Sequence, residues 1–288
     1  MLGVLFYKLG AFFSHRLPNR LSEAITETLA QIQYYIRFGS RRNALENLRI
    51  VMGPKTNELE IQRRGKNLFS NFGRSIYCFL RVPYLPPGEL RRRCDFRGID
   101  DVARRLLADG GFILAGPHVG PWEIAGACLC DIGIPIHTVT LPHPSRRVTE
   151  FFDDRRRLMG IQCYPIGGSF LSLRRALQDG KCVALLIDRE YGRVRGMQKM
   201  FGCDVALPRG HAALAVRCEV PILTAALVFD DGCGFKFVYG EPHYPDGSLD
   251  ERMAIEKLQR ECQADMERFI GEYPDQWFNF EPLRGSPV

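Results

Sequence analysis

At 288 residues, 45% apolar and 25% charged, the chain has a globular composition and enough apolar material for one large domain, which excludes a mainly disordered protein. Its formal net charge of +6 is uneven: residues 1–110 carry 19 basic and 10 acidic side chains and residues 205–288 carry 8 and 14, so the front end either meets an anionic partner (a membrane surface, a carrier protein or nucleic acid) or simply solvates helix faces. Ten cysteines without a C-x-x-C pair argue against a disulfide framework or a zinc cage, and no run free of charges, Ile132 to Ser145 among them, reaches the ~20 residues of a spanning helix.

Val4 to Phe13 is an apolar stretch broken by Lys8 and followed by no small-residue cleavage site, so it reads as a helix and not as a signal peptide. Val4, Leu5, Leu9, Phe12 and Phe13 share one side at helical spacing, with Lys8 placed to snorkel. After Pro18, Ser22 followed by Glu23 marks a helix start, and Ile25, Leu29, Ile32 and Ile36 keep the helical period. Another helix starts near Asn57, with Glu60 as its capping partner, and runs through Phe69 to Leu80. Pro83, Pro86 and Pro87 then punctuate the chain.

Beyond that break the pattern alternates. Apolar runs at Phe112–Ala115, Ile136–Leu141, Ile161–Ile166, Val183–Ile187 and Pro221–Phe229 read as buried strands, with helical stretches around 121–131, 145–158 and 169–178 between the first four. This is the pattern of an α/β fold with a mostly parallel central sheet flanked by helices. A Gly232–Gly234 turn adds a hairpin strand at Phe235–Tyr239, and Leu249 to Tyr273 reads as a final charged helix. The expected organisation is a helical membrane-associating region over residues 1–88 and an α/β domain over residues 89–288.

The segment from Gly110 to Glu123 carries the chemistry. A strand ending at Ala115 and a helix opened by Pro121 put His118 in a strand-to-helix loop at the carboxyl edge of the sheet, where α/β sheets bind ligands. Glu123, in the first helical turn, is expected to bond one imidazole nitrogen, and a neutral histidine so oriented can take a proton from a hydroxyl. The competing reading is a capping histidine beside a helix-start glutamate. No Walker A, G-x-G-x-x-G or G-x-S-x-G pattern supports a nucleotide cofactor or a serine nucleophile. His137 and His143 flank a strand and read as loop or core residues.

Gly116-Pro-His118-Val-Gly-Pro-Trp-Glu123 resembles the H-x-x-x-x-E block of the bacterial late lipid A acyltransferases, within the lysophospholipid acyltransferase superfamily. Further blocks follow in the family's order: Arg155-Arg-Arg-Leu-Met-Gly160, Leu185-Leu-Ile-Asp188-Arg-Glu-Tyr-Gly192, Phe201-Gly202, Val220-Pro221-Ile222 and Pro274-Asp-Gln-Trp277. After that tryptophan the family continues with an aromatic-His-Arg-Arg stretch, whereas this chain reads Phe278-Asn279-Phe280. The resemblance implies an O-acyltransferase at the cytoplasmic face of the inner membrane, peripheral to it, with the anionic membrane surface and not nucleic acid as its partner. Acyl carrier protein or coenzyme A would present the thioester as a substrate, with no metal or other cofactor.

A lipid A-type glycolipid hydroxyl is the favoured acceptor, another lipid or lipid-like metabolite the alternative. His118 and Glu123 would be catalytic; Arg156, Arg157 and Asp188 would bind substrate, with the register favouring Arg156. Asp188 equally suits a plain turn aspartate, and Trp122 a pocket wall or core. A thioester or lipid-ester hydrolase using the same pair, and a lipid-binding protein whose His118 is a cap, are the readings from other classes.

Overall fold

The computed structural model describes residues 2–189, 195–230 and 234–283. Four helices come first: α1 (Leu2–Arg16), α2 (Asn19–Ile36), α3 (Phe38–Met52) and α4 (Glu58–Arg81). In α1, Tyr7 packs its ring on Phe151 and Phe152 and Ala11 is buried, while Leu5, Phe6, Leu9, Phe12 and Phe13 face outward. Val4 packs against the core, apart from Leu5, Leu9, Phe12 and Phe13, with which the helical spacing groups it. α2 starts at Asn19 behind Pro18, and Ser22 is a buried residue inside it, not its cap. The apolar period of α2 faces outward. Leu21, Ile25, Leu29, Ile32 and Ile36 are all exposed, and its buried residues are Ser22, Ala30 and Tyr34. α4 starts as expected, the Asn57 side chain accepting the Glu60 N–H at 2.8 Å.

Short α5 (Glu89–Arg93) and β1 (Cys94–Asp95) lead into α6 (Ile99–Ala108) and then β2 (Phe112–Gly116). Strand and helix alternate from there: α7 (Trp122–Asp131), β3 (Ile136–Thr140), α8 (Arg146–Leu158), β4 (Gln162–Pro165), α9 (Ser169–Gln178) and β5 (Cys182–Leu186). A hairpin of β6 (Arg195–Met200) and β7 (Cys203–Pro208) precedes α10 (Gly210–Cys218), and β8 (Ile222–Phe229), β9 (Phe235–Tyr239) and α11 (Glu251–Glu272) complete the chain. The seven-stranded sheet runs β1-β9-β8-β2-β5-β3-β4, and only β8 and β9 pair antiparallel. The fold is therefore the expected α/β architecture, with a mostly parallel central sheet. Gly232, of the turn expected before β9, lies outside the described residues.

Alternation along β2 divides the core. Phe112 and Leu114 join α4, α6 and α7 on one face, while Ile113 and Ala115 join α9, α10 and α11 on the other. A third cluster ties the helical region to the chain's end: Tyr34, Leu45, Leu48, Ile61, Leu68 and Phe69 pack with Phe278. Among the described residues no helix is long and apolar enough to cross a membrane.

Candidate active site

The loop between β2 and α7 is shaped by two glycines. A Cβ at Gly116 would run into the carbonyl oxygen of Ala225, and one at Gly120 into that of Leu227. Gly120 also has φ near +60°, a conformation that glycine adopts without strain. Glycine at these two positions lets the loop lie directly on β8, with His118 midway between them. The imidazole is 7% exposed and faces a cavity of about 540 Å³ at the carboxyl edge of the sheet. That volume falls inside the ~300–1,000 Å³ range of small-molecule sites.

β2 and β5 are neighbours in register, Gly116 opposite Leu186. His118 and Asp188 each lie two residues beyond that pair, so two in-step strands deliver them side by side. His118 Nδ1 bonds Asp188 Oδ1 at 2.6 Å, and Asp188 Oδ2 accepts the backbone N–H of His118 at 3.1 Å and the indole N–H of Trp277 at 2.8 Å. Burial works against the Asp188 carboxylate, but the imidazole, the Arg189 guanidinium and the Trp277 N–H outweigh it and hold its pKa well below the usual carboxylate range. Glu123 is turned elsewhere. Arg156, in the last turn of α8, grips it with Nη2 at 2.6 Å and Nε at 3.0 Å, and donates Nη1 to Asp153 at 3.0 Å. The sequence expectation that Glu123 bonds the imidazole is therefore corrected: Asp188 is the carboxylate on Nδ1, and Glu123 is the partner of a largely buried arginine.

The three consecutive arginines take three directions. Arg156 lines the cavity. Arg155 is buried, donating to Leu80 O at 3.3 Å and Tyr84 Oη at 2.8 Å, and fastens α8 to the end of α4. Arg157, expected to bind substrate, is instead exposed and paired with Asp154 at 2.8 Å. One helical residue covers ~100°, so a single-residue shift decides which guanidinium meets the cavity. The second cation lining it is Arg189, which donates to the Phe278 carbonyl oxygen. Trp122 is a pocket wall with its ring edge-on to His118 at 4.9 Å. His143 also lines the cavity, while His137 bonds Tyr164 Oη at 2.9 Å on the sheet. Glu190, Tyr191 and Gly192 of the expected block lie outside the described residues.

Sequence reasoning missed the work of the C-terminal block. Asp275 accepts from Arg64 at 3.0 Å on α4; Gln276 brackets the N–H and carbonyl of Phe229 at 2.8 and 3.2 Å and accepts the Gly120 N–H at 2.7 Å. Trp277 holds Asp188, and the Phe278 N–H bonds the His118 carbonyl at 2.9 Å. Four successive residues thus fix α4, β8, Asp188 and the His118 loop to one another.

A family model described as bacterial lipid A biosynthesis acyltransferase matches residues 2–283. The chain belongs to that acyltransferase family. Curated relatives include a phosphatidylinositol mannoside acyltransferase of Mycolicibacterium smegmatis, 27% identical over 95% of this chain and 90% of its own length. One from Mycobacterium tuberculosis is 26% identical over 87% of this chain and 79% of its own length. This member of the lipid A biosynthesis acyltransferase family is accordingly an acyltransferase of lipid biosynthesis.

Breaking the Glu123–Arg156 pair leaves an uncompensated charge in a site where both side chains are less than one-fifth exposed, a change that costs about 3–5 kcal/mol. Glu123→Gln and Arg156→Lys should each lower the melting temperature by several degrees, since lysine lacks the fork that holds both carboxylate oxygens. The double variant Glu123→Gln/Arg156→Met should recover much of that loss. Unchanged melts in both single variants would show that the pair contributes nothing to the fold.

Proposed function

We propose that the protein moves a fatty acyl chain from an acyl carrier protein or coenzyme A thioester to a hydroxyl of a membrane glycolipid. The observation that carries this reading is the His118–Asp188 pair opening onto a largely apolar cavity at the sheet's carboxyl edge. An ionised Asp188 accepts the Nδ1 proton, which leaves the lone pair of the neutral imidazole on Nε2. There it takes the proton of the acceptor hydroxyl as the oxygen attacks the thioester carbonyl. The tetrahedral intermediate collapses with cleavage of the carbon–sulfur bond, and the imidazolium returns the proton to the departing thiolate. Transfer is direct, without an acyl-enzyme. Arg189 puts a fixed positive charge on the cavity wall where an oxyanion would form, and the locked Glu123–Arg156 pair gives the cavity one polar side for the acceptor head.

The deciding experiment incubates the purified protein with radiolabelled palmitoyl-CoA or palmitoyl carrier protein and two acceptors, a phosphatidylinositol mannoside and a lipid A precursor. Label in either glycolipid supports the reading and selects the acceptor. Release of free fatty acid alone, with neither glycolipid labelled, would make the protein a thioester hydrolase.

The outward apolar faces of α1 and α2 support peripheral attachment to the cytoplasmic face of the inner membrane, with Lys8, Arg16 and Arg20 among anionic headgroups. Leu141, Ile166 and Phe170, which line the cavity and are themselves exposed, form an apolar lip for a lipid chain. Ile25→Asp/Leu29→Asp should fold normally, because both side chains already face solvent, yet lose flotation with anionic liposomes. Truncation of residues 1–20 should weaken flotation as well. Undiminished flotation of both variants would overturn membrane docking through these helices.

A further inference from the structure

His211 lies in the first turn of α10 and lines the same cavity, 4% exposed. Neither of its ring nitrogens has a hydrogen-bond partner among the described residues. Its neighbours on that wall include Leu173, Ile187 and Leu214, an aliphatic lining in which a lone polar ring costs stability that leucine would not. Several other polar groups lining the cavity are already engaged: Thr138 donates to the Ala184 carbonyl at 2.8 Å, Glu123 and Arg156 hold each other, and Arg189 donates to the Phe278 carbonyl oxygen. Burial keeps the His211 imidazole neutral, its pKa lowered to about 4, so it offers one donor and one acceptor. An unsubstituted alkyl chain in this cavity would leave both unmet.

We propose that His211 is a specificity-determining residue that hydrogen-bonds an oxygen of the acyl donor. That oxygen is either a hydroxyl carried along the acyl chain or a carbonyl at the thioester end. The donor is favoured over the acceptor because the α9–α10 wall is apolar at Phe170, Leu173 and Leu214 and carries polar side chains only at Ser169 and His211 among the described lining residues, whereas the charged pair suited to a glycolipid head belongs to α7 and α8. A buried group built to pair with a substrate oxygen discriminates strongly against ligands lacking it. The inference rests on the thioester-donor reading above.

Calorimetric binding in the absence of acceptor tests it, with hexadecanoyl and hydroxyhexadecanoyl groups presented on coenzyme A and on acyl carrier protein. His211→Phe should weaken the preferred donor at least tenfold, His211→Asn should restore part of the loss, and neither should melt below the wild type. A loss confined to hydroxylated chains places the oxygen on the chain, and an equal loss for all donors places it at the thioester end. Wild-type affinities for every donor in His211→Phe would overturn the proposal, and so would failure of the wild type to bind any of these thioesters. Transfer is measured separately. Donors bound in a His211-dependent way but never transferred would sink the transferase reading while leaving the role of His211 intact.

Discussion

His118→Ala is expected to reduce acyl transfer by about two to four decades, the usual contribution of a general base. The fold should survive, because Asp188 keeps the Trp277 indole N–H and the backbone N–H of residue 118 as donors, and the loop is fastened by the 276–278 segment and not by the imidazole. Turnover with saturating acyl donor and a thermal melt on the same preparation check both halves. Turnover near that of the wild type would remove His118 as the base and hand that role to another group.

Asp188→Asn should cost as much, for a different reason. The carboxylate can only accept, which pins the proton on Nδ1; an asparagine amide can donate to that nitrogen and put the proton on Nε2, where the acceptor hydroxyl must deliver its own. The equivalent change in serine-protease triads costs ~10⁴ in turnover. A second signature separates this variant from a generally damaged enzyme. Since the folded pKa of Asp188 is depressed, its contribution to stability is present above the unfolded value of about 4 and is lost as pH falls through that value toward the folded one. Asp188→Asn should therefore flatten the acid limb of the melting curve as it removes activity. An asparagine variant with wild-type kcat would return the orienting role to another group.

What the sequence disclosed and what it hid follow from range. Strands and helices with strong local periods, such as Phe112–Gly116 and Ser169–Gln178, could be read directly, as could the loop position of His118. Asp188 could be read as a site residue at the end of its strand facing His118, but not as the carboxylate on its imidazole, because β2 and β5 lie side by side while β3 and β4 intervene in the chain. Nothing local to residue 188 reports that adjacency. Glu123 misled for the same reason: its place in the first turn of α7 was right, but the choice between imidazole and guanidinium was made by α8, more than thirty residues on. The β6–β7 hairpin escaped because its residues do not alternate cleanly, and the α2 stripe showed its period but not which way it would face. His211 left no pattern at all; only a cavity makes an unpartnered imidazole conspicuous.

The strap formed by the last residues has a consequence for biosynthesis. Asn47 on α3 donates to the carbonyls of Asn279 and Glu281 and accepts the N–H of Leu283, across more than 230 positions of chain. A helix made early therefore holds a segment made more than 230 positions later, and residues 277 and 278 beside it hold Asp188 and the His118 loop in place. If α1 and α2 dock on a bilayer as proposed, a nascent chain can present them long before the His118–Asp188 pair is assembled, and targeting then precedes competence. Stopping translation after Tyr273 should yield a chain that still floats with liposomes and transfers nothing.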